Sequence, residues 1–338
     1  MASTTSTATT RPLKIVHLDC IHVRPAPTFN VPHIYTEYPT SSPADIPSRI
    51  AEADIIITTR VPLSAASLDA AVCPSLQMIA AMSIGTDNID LAACRRRGIV
   101  VANVPAASNE SVAEHAIALY FAAKRSLVAC QQRLVAGAGE GWVREGTGIG
   151  FFAGGMPGTC KEDVMAIFGA GELGNRVAKI AQALNMKVIF AERKGVPAES
   201  VRGDRVEFIE ACKTASVIML TCPLNASTRG MIGTREFAVM RRDSVVVNVA
   251  RGGVVVEEDL VAALKSGRIT GAATDVFVDE PAGASNSVLI REVGNLDGRL
   301  TLTPHVAWYA RSSRDKLNRT VADNIEAFVH GQPTNVVV

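Results

Sequence analysis

The stretch Gly169-Ala170-Gly171-Glu172-Leu173-Gly174 constrains this 338-residue chain more than any other. It follows a β-rich run, Val164–Phe168. It opens a segment in which Val177, Ile180, Ala181 and Leu184 recur at i, i+3, i+4 and i+7, one apolar helix face. The G-x-G-x-x-G pattern is weak alone, but between a strand and an amphipathic helix it marks a dinucleotide-binding βαβ unit. Glycine permits the tight turn and lets the backbone approach a pyrophosphate, while the helix start offers unpaired N–H groups to the anion. The next run, Lys187–Ala191, leads directly into Glu192, a carboxylate able to accept from a ribose 2′-hydroxyl.

The same alternation of apolar runs and helical segments extends in both directions. Before the glycine loop lie Lys14–Leu18, Ile55–Thr58, Met78–Ala81 and Ile99–Ala102; between the last two, Asp90 caps a predicted helix Leu91–Arg97 that ends at Gly98. From the loop onward come Val164–Phe168, Lys187–Ala191, Val217–Leu220, Val245–Val249, Gly271–Val276 and Leu300–Thr303. Short continuous apolar runs of this kind are strands buried on both faces of a parallel sheet. Two such series imply an α/β fold of two doubly wound, parallel-sheet domains. Ser108–Arg125 reads as a long helix, Gly137–Gly158 as a glycine-rich loop, and about Arg314–His330 as a terminal helix that periodicity cannot assign to either domain.

Composition removes several classes of function. With 34 Lys plus Arg against 33 Asp plus Glu, the chain has no electrostatic bias toward nucleic acid or an anionic membrane. No uncharged apolar run reaches the ~18 residues that span a bilayer. Seven scattered cysteines, none spaced as C-x-x-C, fit a reducing cytoplasmic compartment and neither a disulfide framework nor a thiolate zinc site. No His, Cys and Asp grouping has metal-ligand spacing, so no metal is expected. Residues 1–10 hold seven Ser or Thr and no charge, and residues 1–12 read as a disordered tail.

Three polar positions fall at the ends of successive predicted strands: Arg251 in Asn248-Val249-Ala250-Arg251-Gly252-Gly253, Glu280 in Asp275–Pro281, and His305 in Pro304-His305-Val306-Ala307-Trp308. Open α/β sheets place ligands at these strand ends. An Arg, a Glu and a His converging there would supply an anion clamp and an acid–base pair, the carboxylate favouring the protonated imidazole. The other five histidines, His115 among them, read as packing or surface residues.

With these motifs, and with Ile84-Gly85-Thr86-Asp87-Asn88-Ile89-Asp90 and Cys222-Pro223-Leu224, the chain resembles the D-2-hydroxyacid dehydrogenase family over essentially its whole length after Pro12. Ala191-Glu192-Arg193-Lys194-Gly195 and Trp308 look most like the glycerate dehydrogenase and hydroxypyruvate or glyoxylate reductase branch. The resemblance implies a Rossmann cofactor domain, 106–310, inserted into a flavodoxin-like substrate domain, 13–105 with 311–338, and a homodimer made through the cofactor domain. It implies that Arg251 holds the carboxylate and keto oxygen of a small 2-keto acid. His305 would move the proton, Glu280 would orient His305, and Asp275 would meet the nicotinamide carboxamide. Backbone N–H groups of Ile84 and Gly85 would also hold the substrate, which would lie between the domains. Gly169, Gly171, Glu172, Leu173, Gly174, Glu192, Arg193, Lys194, Cys222, Pro223, Ala250, Arg251, Asp275 and His305 would border the cofactor.

The expected cofactor is NAD, with NADP accepted about tenfold less well: Glu192 repels a 2′-phosphate, while Arg193 and Lys194 offset that repulsion in part. The alternative is a nucleotide-sensing binding or corepressor protein on the same fold. A formate dehydrogenase fits less well, because that branch pairs its histidine with glutamine where this chain has Glu280.

Overall fold

The computed structural model describes residues 11–136, 139–152 and 154–338. They form two compact units: the chain up to Ser108 together with Ala310–Val338, and Asn109–Tyr309. The expected residue 1–10 tail lies outside the described residues. Arg11, placed in that tail by the sequence, is instead fixed: its guanidinium makes a forked pair with buried Asp54 at 2.6 and 2.7 Å.

The first unit is a five-stranded sheet of β1 (Leu13–His17), β2 (His33–Glu37), β3 (Ile55–Thr58), β4 (Met78–Ala81) and β5 (Val100–Ala102). Its order is β2-β1-β3-β4-β5 and every pairing is parallel, the flavodoxin-like arrangement. β3 and β4 are buried at every position, which is why their sequences are unbroken apolar runs. β2 was not anticipated. It is an edge strand, His-Ile-Tyr-Thr-Glu with no fully buried residue, so burial imposes no apolar run on it. The helix Leu91–Arg97 forms as expected: the Asp90 side chain accepts from Ala93 N–H, and Gly98 closes the helix at φ 69°. The terminal helix, Arg311–Val329, belongs to this unit and packs on β4. Asn324 on it donates to the Asn103 carbonyl at 2.8 Å.

The second unit holds β6 (Val164–Phe168), β7 (Lys187–Phe190), β8 (Val217–Leu220), β9 (Val245–Asn248), β10 (Gly271–Thr274) and β11 (Leu300–Leu302). All pairings are parallel, in the order β11-β10-β9-β8-β6-β7. Alternate residues serve opposite faces. Met165, Ile167, Val217, Met219, Val245 and Val247 pack under the helices Asn109–Lys124 and Glu172–Ala183. Ala166, Phe168, Ile218, Leu220 and Val246 pack on the other side against Phe208, Phe237 and Leu260. Chain direction reverses between β6 and β8, because β7 lies outside β6; such a switch point opens a crevice at the carboxyl ends of the strands.

One expectation changes here. Gly137–Gly158 is not loop throughout: Glu140–Glu145 is a helix between Gly139 and Gly146, both left-handed, and Ile149–Phe151 is a single 3₁₀ turn. Glycines that flank so short a helix also mask its period. The lead-in Thr159-Cys160-Lys161-Glu162-Asp163 is an ordered turn in which the Glu162 carboxylate accepts from both the N–H and the hydroxyl of Thr159 at 2.7 Å. Asp163 follows, buried at the amino end of β6, and accepts from Lys124 Nζ at 2.8 Å, Tyr120 Oη at 2.7 Å and Ser216 Oγ at 2.6 Å. The buried carboxylate thus accepts from three donors, one of them its charge partner, which favours keeping charge in an apolar interior. Burial, then the bond to Asp163, pushes the Tyr120 hydroxyl well above its usual range.

Candidate active site

Gly169 sits at φ 121°, and a Cβ there would meet the Cys222 nitrogen at 2.7 Å. A Cβ on Gly174 would stand 1.9 Å from the Gly169 carbonyl oxygen. These two glycines serve the turn and its packing. Gly171 differs: a Cβ on it would meet nothing within 4 Å, and it caps the twelve-residue helix Glu172–Ala183. An open cradle at a helix amino terminus, with exposed Glu172 and half-buried Leu173 in its first turn, fits a pyrophosphate. Across it lie buried Cys222, whose thiol burial pushes up to about 11, and exposed Pro223.

Glu192 is buried beyond the end of β7, but it is not the free acceptor that the sequence suggested. Its Oε1 accepts from Arg202 Nη2 at 2.5 Å and from Arg193 N–H at 2.8 Å; its Oε2 accepts from Arg202 Nε at 2.7 Å. The Arg202 guanidinium, then the Arg193 N–H, hold the carboxyl at about 2. Lys194 is also engaged: its ammonium is 2.7 Å from Glu236 and donates to the Met231 carbonyl at 2.9 Å. Of the two expected cations, Arg193 is exposed and its side chain has no such tie among the described residues. Sequence reasoning missed Arg202, which lies in a loop with no periodicity to pair it with Glu192.

The three strand-end motifs occupy the loops after neighbouring strands β9, β10 and β11. Asn248 shapes the first: its Oδ1 accepts from Ala250 N–H at 3.0 Å and its Nδ2 donates to the Arg251 carbonyl at 2.9 Å. Arg251 donates from Nη1 to the Ala250 carbonyl at 2.8 Å. In the second loop, Glu280 Oε1 accepts from Phe277 N–H at 3.0 Å, and buried Glu257 accepts from Val278 N–H at 2.9 Å. Burial raises the Glu257 carboxyl above its usual range.

The third loop brings His305 Nδ1 to 2.6 Å from Glu280 Oε2, with both side chains about a quarter exposed. An ionised carboxylate only accepts, so Nδ1 carries the proton and Nε2 is the nitrogen left for exchange. His305 adopts a left-handed backbone, φ 56°, unusual for a residue with a Cβ. The Trp308 indole donates to its carbonyl at 3.0 Å, a contact the sequence did not foretell. Asp275 carries bonds within the fold that the sequence did not show. It is buried; Oδ1 accepts from the Thr303 hydroxyl at 2.6 Å and Val306 N–H at 2.9 Å, and Oδ2 from Ala307 N–H at 2.9 Å. Its carboxylate is thus engaged in folding the His305 turn. His115 completes that layer, its Nε2 3.0 Å from Thr303 Oγ1.

Ile84 and Gly85 lie in the first unit, after β4. The Ile84 carbonyl accepts from Asn103 Nδ2 at 2.7 Å and the Gly85 carbonyl from Ser83 Oγ at 2.6 Å.

Comparison with known proteins agrees with this geometry. Residues 117–307 match the family described as D-isomer specific 2-hydroxyacid dehydrogenase, NAD binding domain. The chain is 35% identical to a glycerate dehydrogenase of Methylorubrum extorquens, covering 91% of this chain and 93% of that one. It is 31% identical to a hydroxypyruvate reductase of Blautia hydrogenotrophica, covering 90% and 91%. Among solved structures it resembles D-lactate dehydrogenase from Aquifex aeolicus, complexed with NAD and lactic acid, at 26% identity and a TM-score of 0.70, covering 88% and 90%. The chain belongs to the D-isomer-specific 2-hydroxyacid dehydrogenase family. It is an NAD(P)-dependent oxidoreductase of 2-hydroxy acids and their 2-keto counterparts. The binding-protein alternative has no support among these matches.

Proposed function

We propose that the enzyme works chiefly as a reductase of short 2-keto acids, hydroxypyruvate or glyoxylate, giving the D-hydroxy acid. The observation that carries this reading is the His305–Glu280 contact in loops beside that of Arg251. Bound nicotinamide supplies the hydride. His305 Nε2 gives a proton to the keto oxygen, while Glu280 fixes the ring through Nδ1 and stabilises the imidazolium before transfer. Arg251 holds the substrate carboxylate and keto oxygen, which a planar guanidinium can do in a forked manner. The glycine cradle receives the pyrophosphate. Glycerate and hydroxypyruvate names among the relatives support the short acid. Loss of the near-ultraviolet absorbance of NADH with a panel of keto acids tests it. Turnover confined to aromatic acids, or an L product, would sink the reading.

We further propose a homodimer formed through the second unit. Leu127, Val135, Trp142, Val143 and Ile149 on its consecutive short helical segments are all more than half exposed, an apolar grouping typical of a covered surface. Light scattering that gives a monomer mass at micromolar concentration would refute it. Seven unpaired cysteines support a cytoplasmic location, and no helix among the described residues is long and apolar enough to cross a membrane.

A further inference from the structure

The Glu192 carboxylate has room for about four hydrogen bonds. In this structure the protein itself fills nearly all of it: Arg202 Nε and Nη2 form a fork with both oxygens at 2.7 and 2.5 Å, and Arg193 N–H adds a third bond at 2.8 Å. Arg202 N–H lies 3.4 Å from Oε2 as well. A ribose 2′-hydroxyl that donates to Glu192 must therefore compete with the guanidinium for the same lone pairs. A 2′-phosphate meets the opposite situation. The negative charge that would repel it is paired, and the guanidinium that pairs it matches phosphate geometry. Glu192 is buried while the Arg202 side chain is about half exposed, so the arginine can turn outward and the glutamate cannot follow.

We propose that Arg202 is the residue that sets cofactor choice in this enzyme, weakening NADH at Glu192 and admitting NADPH by pairing with its 2′-phosphate. Lys194, which the sequence placed beside the 2′-phosphate together with Arg193, is paired with Glu236. The proposal rests on the reading of Glu192 as the ribose-side residue of the cofactor site. It revises the basis of the tenfold NADH preference expected from sequence, since the paired carboxylate no longer acts as a bare charge.

The test is calorimetric titration of wild type, Arg202→Ala and Arg202→Lys with NADH and NADPH, and with adenosine 5′-monophosphate and adenosine 2′,5′-bisphosphate as probes without a reacting ring. Steady-state kcat/KM for both reduced cofactors runs alongside. Arg202 is half exposed, so truncating it opens no cavity, and thermal melting checks the fold. In Arg202→Ala the monophosphate and NADH should bind more tightly, while the bisphosphate and NADPH should weaken about tenfold or more. The lysine variant, charged but unable to fork, should fall between. Equal shifts for both ligands, or none, would overturn the role of Arg202 and leave the cofactor site standing. Wild type that binds neither NADH nor NADPH would overturn the site reading and this proposal with it.

Discussion

Gly252 and Phe277 approach so closely that a Cβ on the glycine would lie 1.9 Å from the Phe277 carbonyl carbon and 2.3 Å from Val278 nitrogen. The contact joins the loop that carries Arg251 to the loop that carries Glu280. Both sides are backbone, so neither can yield by a rotamer change.

Gly252→Ala should therefore force these loops apart by about an ångström, a misplacement that costs roughly 10²-fold in rate. Overpacking should also lower stability by about 1–3 kcal/mol. Comparing kcat/KM with the urea midpoint separates the two effects. Wild-type turnover in the variant would mean that the loops are not coupled in this way.

His305→Asn removes the imidazole while keeping a residue that tolerates the left-handed backbone. Keto-acid reduction should fall by about 10²- to 10⁴-fold, the range for a positioned proton donor. NADH affinity, read by its fluorescence, should change little because the cradle lies after β6. A rate within a few fold of wild type would remove His305 from the chemistry.

Trp308→Phe keeps an aromatic side chain but removes the pyrrole part of the indole, and with it the N–H that meets the His305 carbonyl. A sparsely populated backbone conformation costs about 1–3 kcal/mol and persists where its surroundings hold it. With that bond gone, kcat should drop about tenfold while the melting temperature moves little. An unchanged kcat would show that the indole bond is dispensable for holding His305.

His17 gives a pH dependence unrelated to catalysis. The ring is fully buried, bonded through Nδ1 to Tyr35 Oη at 2.9 Å, with no hydrogen bond at Nε2 among the described residues, and burial pulls its pKa down to about 4. Asp19, at 3.9 Å, opposes that shift only in part. The unfolded chain takes up this proton near pH 6.5 and the folded one only near pH 4, so stability is full above about 6.5 and declines as pH falls between those values. The whole effect is about 3 kcal/mol, of which roughly 2 should be lost by pH 5. Urea midpoints of wild type and His17→Gln from pH 7 to 5 should diverge by that amount. Parallel curves would exclude His17 as the cause.

What could be read in the chain follows burial. Strands covered on both faces must be apolar throughout, so β3, β4, β6, β8 and β9 stood out, whereas edge strand β2 carries no such demand. The glycine loop and the Arg, Glu and His positions were legible because strand ends mark where ligands bind. Apart from Glu280 with His305, individual side-chain contacts in the irregular segments were not. Arg202 on Glu192, the Trp308 indole on His305, and Thr303 with His115 beneath Asp275 join residues whose spacing has no period. Asp275 was found at a strand end, but sequence shows a carboxylate and not the three donors around it.

The six-stranded sheet keeps its two tasks on opposite flanks. The loops proposed to handle the proton follow β9, β10 and β11, those proposed to hold the dinucleotide follow β6 and β7, and β8 stands between them. Substitutions on separate flanks share no partners, and effects at such sites add in free energy. Lineages of this enzyme could therefore exchange one redox currency for the other at β7 without retuning the acid–base machinery on the far side of β8.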